Sequence, residues 1–122
     1  MPTVLFVDDD MALRNQLRTI FETGSGFDAC VEARNGVEAL ATVKRQSPNL
    51  AVLDFSLPDI DGIDLARKLR AMIPELPIFV MMTDCSMSVE KKASSNGISA
   101  VFSKLDDLAT LLANARAVCG IE

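Results

Sequence analysis

The sequence has 122 residues, of which 49% are apolar, and its formal net charge is −5. This length is typical of one domain with its own core. The negative charge argues against a protein that binds bare nucleic acid or an anionic membrane, because such proteins carry a basic face. We therefore predict a single domain over residues 1–122, with no direct contact to nucleic acid and none to a membrane.

The cysteines and the N-terminus indicate the cellular setting. Cys30, Cys85 and Cys119 are odd in number and form no CxxC spacing, so we expect neither a disulfide framework nor a zinc site. A reducing, cytoplasmic setting fits them best. The N-terminal apolar run is short and has no basic segment before it, so we expect neither a signal peptide nor a membrane span. The absence of histidine removes the commonest general base.

Short apolar runs alternate with segments of helical periodicity along the whole chain. The runs predict five strands: Thr3–Val7, a weaker Phe27–Ala33 at the sheet edge, Leu50–Leu53, Ile78–Met82 and Ala100–Phe102. The alternation predicts an α/β fold, a doubly wound (βα)5 sandwich with a five-stranded parallel sheet. We expect the flavodoxin-like strand order 2-1-3-4-5, which is the commonest arrangement at this size.

Five helices are predicted between and after these strands. The first spans Met11–Glu22 with Asp10 as N-cap, and the fourth is a weak helix over Ser86–Asn96. The second is indicated by Val37, Leu40, Ala41 and Lys44 and is stopped by Ser47 and Pro48. The third and fifth each have one apolar face, formed by Leu65, Ala66, Leu69 and Met72 in the third and by Leu108, Leu111, Leu112, Ala115 and Val118 in the fifth. Asp59, Asp61 and Asp64 are expected to be loop and helix-start carboxylates that a helix dipole favours.

Four of the predicted strands are followed by a polar residue that could bind a ligand or take part in a reaction. Asp8 and Asp9 follow the first strand, Asp54 the third, Thr83 the fourth and Lys104 the fifth. In the order 2-1-3-4-5 these four strands are neighbours, about 4.8 Å apart. Their side chains should therefore converge on one pocket at the carboxyl edge of the sheet, where open α/β sheets bind ligands.

Carboxylates this close repel one another, and a hard divalent cation relieves the repulsion. We expect Mg²⁺, with Asp9 and Asp54 as direct ligands and Asp8 acting through water. The backbone carbonyl of Ser56, in the loop after Asp54, is a further candidate ligand.

A phosphoryl group on Asp54 would be met in this pocket by Mg²⁺, by the Lys104 ammonium and by the Thr83 hydroxyl. Phosphoryl transfer is catalysed mainly by such positioning and charge stabilisation. The pattern therefore predicts that Asp54 is a phosphoacceptor.

The chain resembles the receiver domain of bacterial response regulators. The matching pieces are VLFVDDD, ARNGVEAL, LAVLDFSLPDIDG, VMMT and FSK, in that order along the chain. Each piece is weak alone, but jointly, with DxxLPxxDG in the middle, they are specific. The resemblance implies Mg²⁺-dependent transfer of a phosphoryl group to Asp54 from a phosphohistidine, on a sensor histidine kinase or a phosphotransfer protein.

The resemblance also implies a switch rather than a turnover enzyme. It implies slow self-dephosphorylation and an altered surface around the fourth helix, the fifth strand and the fifth helix. That surface would control an output domain or a partner protein, and a phosphorylation-dependent homodimer is one form the control can take.

Three positions depart from the family pattern. Asp84 stands where the family has a small residue, and it either hinders the phosphodonor or caps the next helix. Val101 stands where the family has a switching Tyr or Phe, and it is too small to follow Thr83 by a ring movement. Strand alternation favours a core position for its neighbour Phe102 over a shifted switch.

The third departure is Leu105, which replaces a proline that follows a cis bond. A non-proline cis bond costs about 2.5–4 kcal/mol, so we expect a trans bond, or a strained cis bond if the site demands it. Asp84, Val101 and Leu105 leave open an alternative function, a degenerate pseudo-receiver that acts as a phosphorylation-independent interaction module. A haloacid-dehalogenase-type phosphatase is a further alternative, since Asp8 and Asp10 match its first motif, but Ala12 does not and the chain is short for it.

Overall fold

The computed structural model describes residues 2–23, 26–83, 91, 96–104 and 108–121. The strands are β1 (Thr3–Val7), β2 (Ala29–Ala33), β3 (Leu50–Asp54), β4 (Ile78–Met82) and β5 (Ala100–Ser103). The helices are α1 (Met11–Glu22), α2 (Gly36–Arg45), α3 (Gly62–Met72) and, at the C-terminal end, α4 (Leu108–Val118). The predicted helix Ser86–Asn96 falls almost entirely outside the described residues.

All five strands form one parallel sheet in the order β2-β1-β3-β4-β5, which confirms the predicted fold. The central strands β3 and β4 are buried at every position, as expected of apolar strands covered on both faces. The edge position predicted for β2 is confirmed, but its predicted start at Phe27 was two residues too early. The backbone N–H of Asp28 donates to Pro2 instead, at 2.9 Å, outside the ladder that begins at Ala29.

Helices cover both faces of the sheet, and each face has its own apolar core. On one face α1 and α4 contribute Leu13, Leu17, Phe21, Leu111 and Ala115. On the other face α2 and α3 contribute Ala39, Val43, Ile63, Leu65 and Leu69. Among the described residues, no helix combines the length and the apolar character that a membrane crossing requires.

Three of the large apolar residues that mark the predicted helices are more exposed than the periodicity suggests. Val37 is 70% exposed, and Met72 and Val118, both predicted on the buried face, are 38% and 44% exposed. Each lies in the first or last turn of its helix. Periodicity detects the face of a helix that packs, but it does not detect where along the helix the packing stops.

The aromatic cluster around Phe21 offers a test of the α1 face. Phe21 is fully buried, and its ring lies 5.1 Å from that of Phe6 and 4.9 Å from that of Phe27. We expect Phe21→Ala to lower the free energy of unfolding by about 3–5 kcal/mol, because it removes buried contacts and leaves a cavity. Urea unfolding followed by circular dichroism measures the change. The exposed control Val37→Ala should change it by less than about 0.5 kcal/mol, and equal losses for both variants would contradict this packing.

Candidate functional site

The first acidic residues of the site stand at the carboxyl end of β1. Asp8 is buried, with 3% of its surface exposed, and its backbone N–H donates to Ala33 of β2 at 3.1 Å. Its carboxylate accepts a hydrogen bond from the Asp10 N–H at 2.8 Å. Asp10 in turn caps α1, as predicted, by accepting from two N–H groups of the first turn. These bonds fix the turn between β1 and α1, while the neighbouring Asp9 is exposed.

Asp54 is the last residue of β3 and is 4% exposed. One carboxylate oxygen, Oδ1, accepts from the Ser56 N–H at 3.1 Å, and the other lies 3.1 Å from the Lys104 ammonium. Gly62 closes the loop that follows, since its N–H donates to the Phe55 carbonyl at 2.7 Å. A Cβ on Gly62 would lie 2.7 Å from the Asp54 carbonyl oxygen, so this close approach of two backbones requires glycine.

The structure brings the predicted acidic residues and the predicted lysine together. Carboxylate oxygens of Asp8, Asp9 and Asp54 all lie within 4.8 Å of one another. The Lys104 ammonium bridges two of these residues, at 3.3 Å from Asp8 Oδ2 and 3.1 Å from Asp54 Oδ2. The backbone of Lys104 is fixed by its N–H, which donates to Met82 of β4 at 2.8 Å.

Burial and charge act against each other in this cluster. Burial raises the pKa of Asp8, and the nearby Asp54 adds to the rise, whereas the hydrogen bond from Asp10 and the charge of Lys104 oppose it. Burial alone would lower the pKa of Lys104, but the attraction of Asp8 and Asp54 outweighs burial and raises that pKa. Lys104 therefore stays cationic and compensates part of the acidic charge.

The donor set fits a hard divalent cation. Magnesium binds oxygen ligands at about 2.0–2.1 Å, so oxygens on opposite sides of the ion are about 4.2 Å apart. The carboxylate oxygens of Asp8, Asp9 and Asp54 all lie within 4.8 Å of one another, so the cluster is close in size to the ligand shell of such an ion. Three carboxylates without nitrogen or sulfur ligands favour magnesium, calcium or manganese over zinc or copper.

The other predicted site residues lie around this cluster. Ser56 is exposed at the start of the loop after β3 and forms an isolated bridge with Asp61. Thr83 is exposed and directly follows β4. The structure places both near the carboxyl edge of the sheet, and their roles as metal ligand and phosphoryl contact stay predictions.

Of the three departures from the family pattern, the structure describes Val101, together with its neighbour Phe102. Phe102 is buried and its ring lies 5.2 Å from that of Phe79, which is the core position that strand alternation predicts. Val101 is half-buried and packs against the core on the α2 and α3 face. A switching role for either residue stays a prediction, and Asp84 and Leu105 lie outside the described residues.

The sequence analysis missed Arg14. This residue is buried in α1, and its guanidinium donates to the backbone carbonyl of Asp8 and, at 3.0 Å, to the Glu32 carboxylate. Arg14 stands three residues before Leu17 and seven before Phe21, on the apolar stripe of the helix. A charged residue on a buried stripe needs a partner, so the sequence did contain a pattern that pointed to Arg14.

Asp59 contacts the start of a helix, as predicted, but the helix is α2 and not α3, which follows Asp59 in the chain. Its two oxygens accept from the N–H groups of Gly36 and Val37, at 2.9 and 3.0 Å, in the first turn of α2. Asp61, in contrast, caps α3 directly by accepting from the Asp64 N–H at 2.8 Å. No local pattern predicts the Asp59 contact, because the partners are 22 and 23 residues apart in the chain.

Comparisons with known proteins agree with this geometry. A family model described as response regulator receiver domain matches residues 4–116. The chain is 36% identical over 115 residues to the response regulator MprA of Mycobacterium leprae, and the alignment covers 94% of this chain and 50% of that protein. It is 35% identical over 98 residues to protein-glutamate methylesterase/protein-glutamine glutaminase 3 of Rhodospirillum rubrum, and this alignment covers 80% of this chain and 26% of that protein.

The chain thus spans half or less of the length of these two curated relatives. Among solved structures, the response regulator receiver domain protein (CheY-like) from Methanospirillum hungatei JF-1 matches with a TM-score of 0.89 and 25% identity, over 98% of this chain and 94% of that chain. The Francisella response regulator 1452 receiver domain matches with the same TM-score and identity, over 98% of both chains.

A double-mutant cycle tests the bridge between Lys104 and Asp8. We expect Lys104→Met to lower the free energy of unfolding by about 2–3 kcal/mol in the presence of a chelator, because it leaves two buried carboxylates without their cation. Asp8→Asn in the same chain should recover part of that loss, with a coupling energy of about 0.5–3 kcal/mol. Urea unfolding measures both quantities. If the free-energy changes of the two single variants simply added, the bridge between Lys104 and Asp8 would be contradicted. The control for the loss of a lysine charge is Lys68→Met, on the exposed face of α3.

Proposed function

Because this chain belongs to the response regulator receiver domain family, we propose that it is a phosphorylation-gated switch in which Asp54 accepts a phosphoryl group from a phosphohistidine. The observation that carries the proposal is the position of the Lys104 ammonium, 3.1 Å from Asp54 Oδ2, within a cluster of three carboxylates. A nucleophile that lies beside a fixed cation and an acidic metal site has the parts that phosphoryl transfer needs.

In the proposed reaction an Asp54 carboxylate oxygen attacks the phosphorus atom of the donor. An oxygen–phosphorus bond forms while the phosphorus–nitrogen bond breaks, and the leaving imidazole nitrogen keeps the electron pair and takes up a proton. The carboxylate attacks as the anion, so the step requires no general base, in agreement with a chain that contains no histidine. Lys104 then moves from the carboxylate to the phosphoryl oxygens, and the Thr83 hydroxyl donates to another of these oxygens.

Asp9 and Asp54 would bind Mg²⁺ directly, Asp8 through water, and the backbone carbonyl of Ser56 would complete the set of protein ligands. The bound ion supplies positive charge to the phosphoryl oxygens as negative charge moves through the transition state. The formal charges support this assignment, because three carboxylates and one ammonium leave an excess of two negative charges in the cluster.

The proposal includes partners and a setting. The phosphodonor is a sensor histidine kinase or a phosphotransfer protein. The phosphorylated domain would act on an output domain, a partner protein or a second copy of the chain. We place the domain in the cytoplasm, in agreement with the thiols of Cys30 and Cys119, which are unpaired. Asp8, Asp9 and Asp54 lie within 4.8 Å of one another and Lys104 contacts two of them, so the structure does not favour a degenerate pseudo-receiver.

Phosphorylation by acetyl phosphate tests the role of Asp54. We expect the chain to gain the mass of one phosphoryl group, measured by intact-protein mass spectrometry, when both acetyl phosphate and Mg²⁺ are present. Asp54→Asn should abolish the gain, because it removes the nucleophile. Asp9→Asn should reduce it strongly at low Mg²⁺ concentration, since it removes a direct ligand.

The matched control is Asp28→Asn, which removes an exposed carboxylate just before β2, at the opposite edge of the sheet. This variant should be labelled like the unchanged chain. Labelling of the Asp54→Asn variant at the normal rate, or full labelling in the presence of a chelator, would overturn the proposal.

A further inference from the structure

The loop between β3 and α3 follows Asp54, the last residue of β3, and carries a second residue of the proposed site, Ser56. The loop is closed at its base, where the Gly62 N–H donates to the Phe55 carbonyl at 2.7 Å and Ser56 forms a bridge with Asp61. The Ser56 N–H also donates to the Asp54 carboxylate. Because these backbones are joined so closely, the position of the rest of the loop affects the position of Ser56.

The tip of this loop is attached to α2 through Asp59. Its oxygens accept from the N–H groups of Gly36 and Val37, which have no partner inside their own helix. The hydrogen bond from Gly36, with the one from Val37, lowers the pKa of Asp59, so the carboxylate is ionised at neutral pH. The positive end of the helix dipole stabilises a carboxylate at this place.

A second contact beside Asp59 is apolar. A Cβ on Gly36 would lie 2.4 Å from Cγ2 of Ile60, so the Ile60 side chain rests directly on the backbone at the start of α2. Ile60 also packs against the core between α2, α3 and the sheet. We call the contacts of Asp59 and Ile60 with Gly36 and Val37 the loop latch.

We infer that Asp59 is a positioning residue for the phosphoacceptor site, which holds the β3–α3 loop through α2 so that the Ser56 carbonyl can reach the metal ion shared by Asp9 and Asp54. This inference rests on the proposed function, since it assigns the loop latch to the proposed magnesium site. Asp59 itself lies outside the cluster of three carboxylates within 4.8 Å of one another. In this inference its effect on the metal passes through the position of the loop.

Magnesium titration by calorimetry tests the inference on the full chain without any phosphodonor. We expect Asp59→Ala to raise the dissociation constant for Mg²⁺ about tenfold, the size of effect typical of residues that orient metal ligands. Asp59→Asn, which keeps one acceptor oxygen, should show a smaller rise. Gly36→Ala should resemble Asp59→Ala, because its Cβ displaces Ile60 while every charge of the chain is kept.

Asp64→Asn is the matched control. It removes a carboxylate from the first turn of α3, close to the loop but outside the loop latch, where Asp64 pairs only with the exposed Arg67 among the described ion pairs. Its dissociation constant should stay within about twofold of that of the unchanged chain, as expected for an exposed ion pair. If Asp64→Asn weakened Mg²⁺ binding as much as Asp59→Asn, the effect would be one of charge alone and the inference would fail.

Amide hydrogen exchange in the metal-free chain gives a second readout. Asp59→Ala and Gly36→Ala should both speed exchange at Ser56 and Gly62, since both variants release the loop. Unchanged exchange together with unchanged Mg²⁺ affinity would overturn the inference while the proposed function stands. If the unchanged chain itself bound no Mg²⁺, the proposed magnesium site would fail, and the positioning role of Asp59 would fail with it.

Discussion

The structure depends on one electrostatic arrangement, in which a lysine ammonium compensates two buried carboxylates at the carboxyl edge of the sheet. Asp8 and Asp54 are 3% and 4% exposed, and burial of an unpaired carboxylate is costly. Lys104 lies within 3.3 Å of both and is 22% exposed, so it pairs with them while it remains in contact with water. The positive charge of Lys104 therefore offsets the repulsion between the two acidic side chains.

Backbone hydrogen bonds from three strand ends hold this arrangement in place. The N–H groups of Asp8, Phe55 and Lys104 donate to carbonyl oxygens of β2 and β4 at distances between 2.8 and 3.1 Å. Each bond continues the ladder of the sheet by one position past the strand. The backbones that carry Asp8, Asp54 and Lys104 are therefore fixed by the sheet. A site whose charged groups are held in place by the sheet is preorganised, which is the condition for electrostatic stabilisation of a reacting group.

The sequence predicted the parts of the fold that depend on local patterns. The five strands followed from apolar runs that end in polar residues, whereas their order was predicted as the commonest one for a (βα)5 chain of this size. The convergence of Asp8, Asp9, Asp54 and Lys104 followed from the two together. The start of β2 and the exposure of Val37 were not predicted, because they depend on where tertiary packing stops. Asp59 could not be predicted as a partner of α2, since two segments 22 residues apart meet only after the sheet has formed.

The place of the site follows from the topology of the sheet. The chain passes from β1 outward to β2, and then returns to β3 on the other side of β1, so the order reverses between β1 and β3. The helices after these two strands cover opposite faces, α1 on one and α3 on the other, and open α/β sheets bind ligands where the order reverses in this way. Asp8 and Asp54 stand at the carboxyl ends of these two strands. On the α2 and α3 face, the loops that follow β2 and β3 are brought together beyond the end of β1. The contact of Asp59 with Gly36 and Val37 joins the β3–α3 loop to the first turn of α2. The strand order that places Asp8 beside Asp54 therefore also brings this loop next to α2.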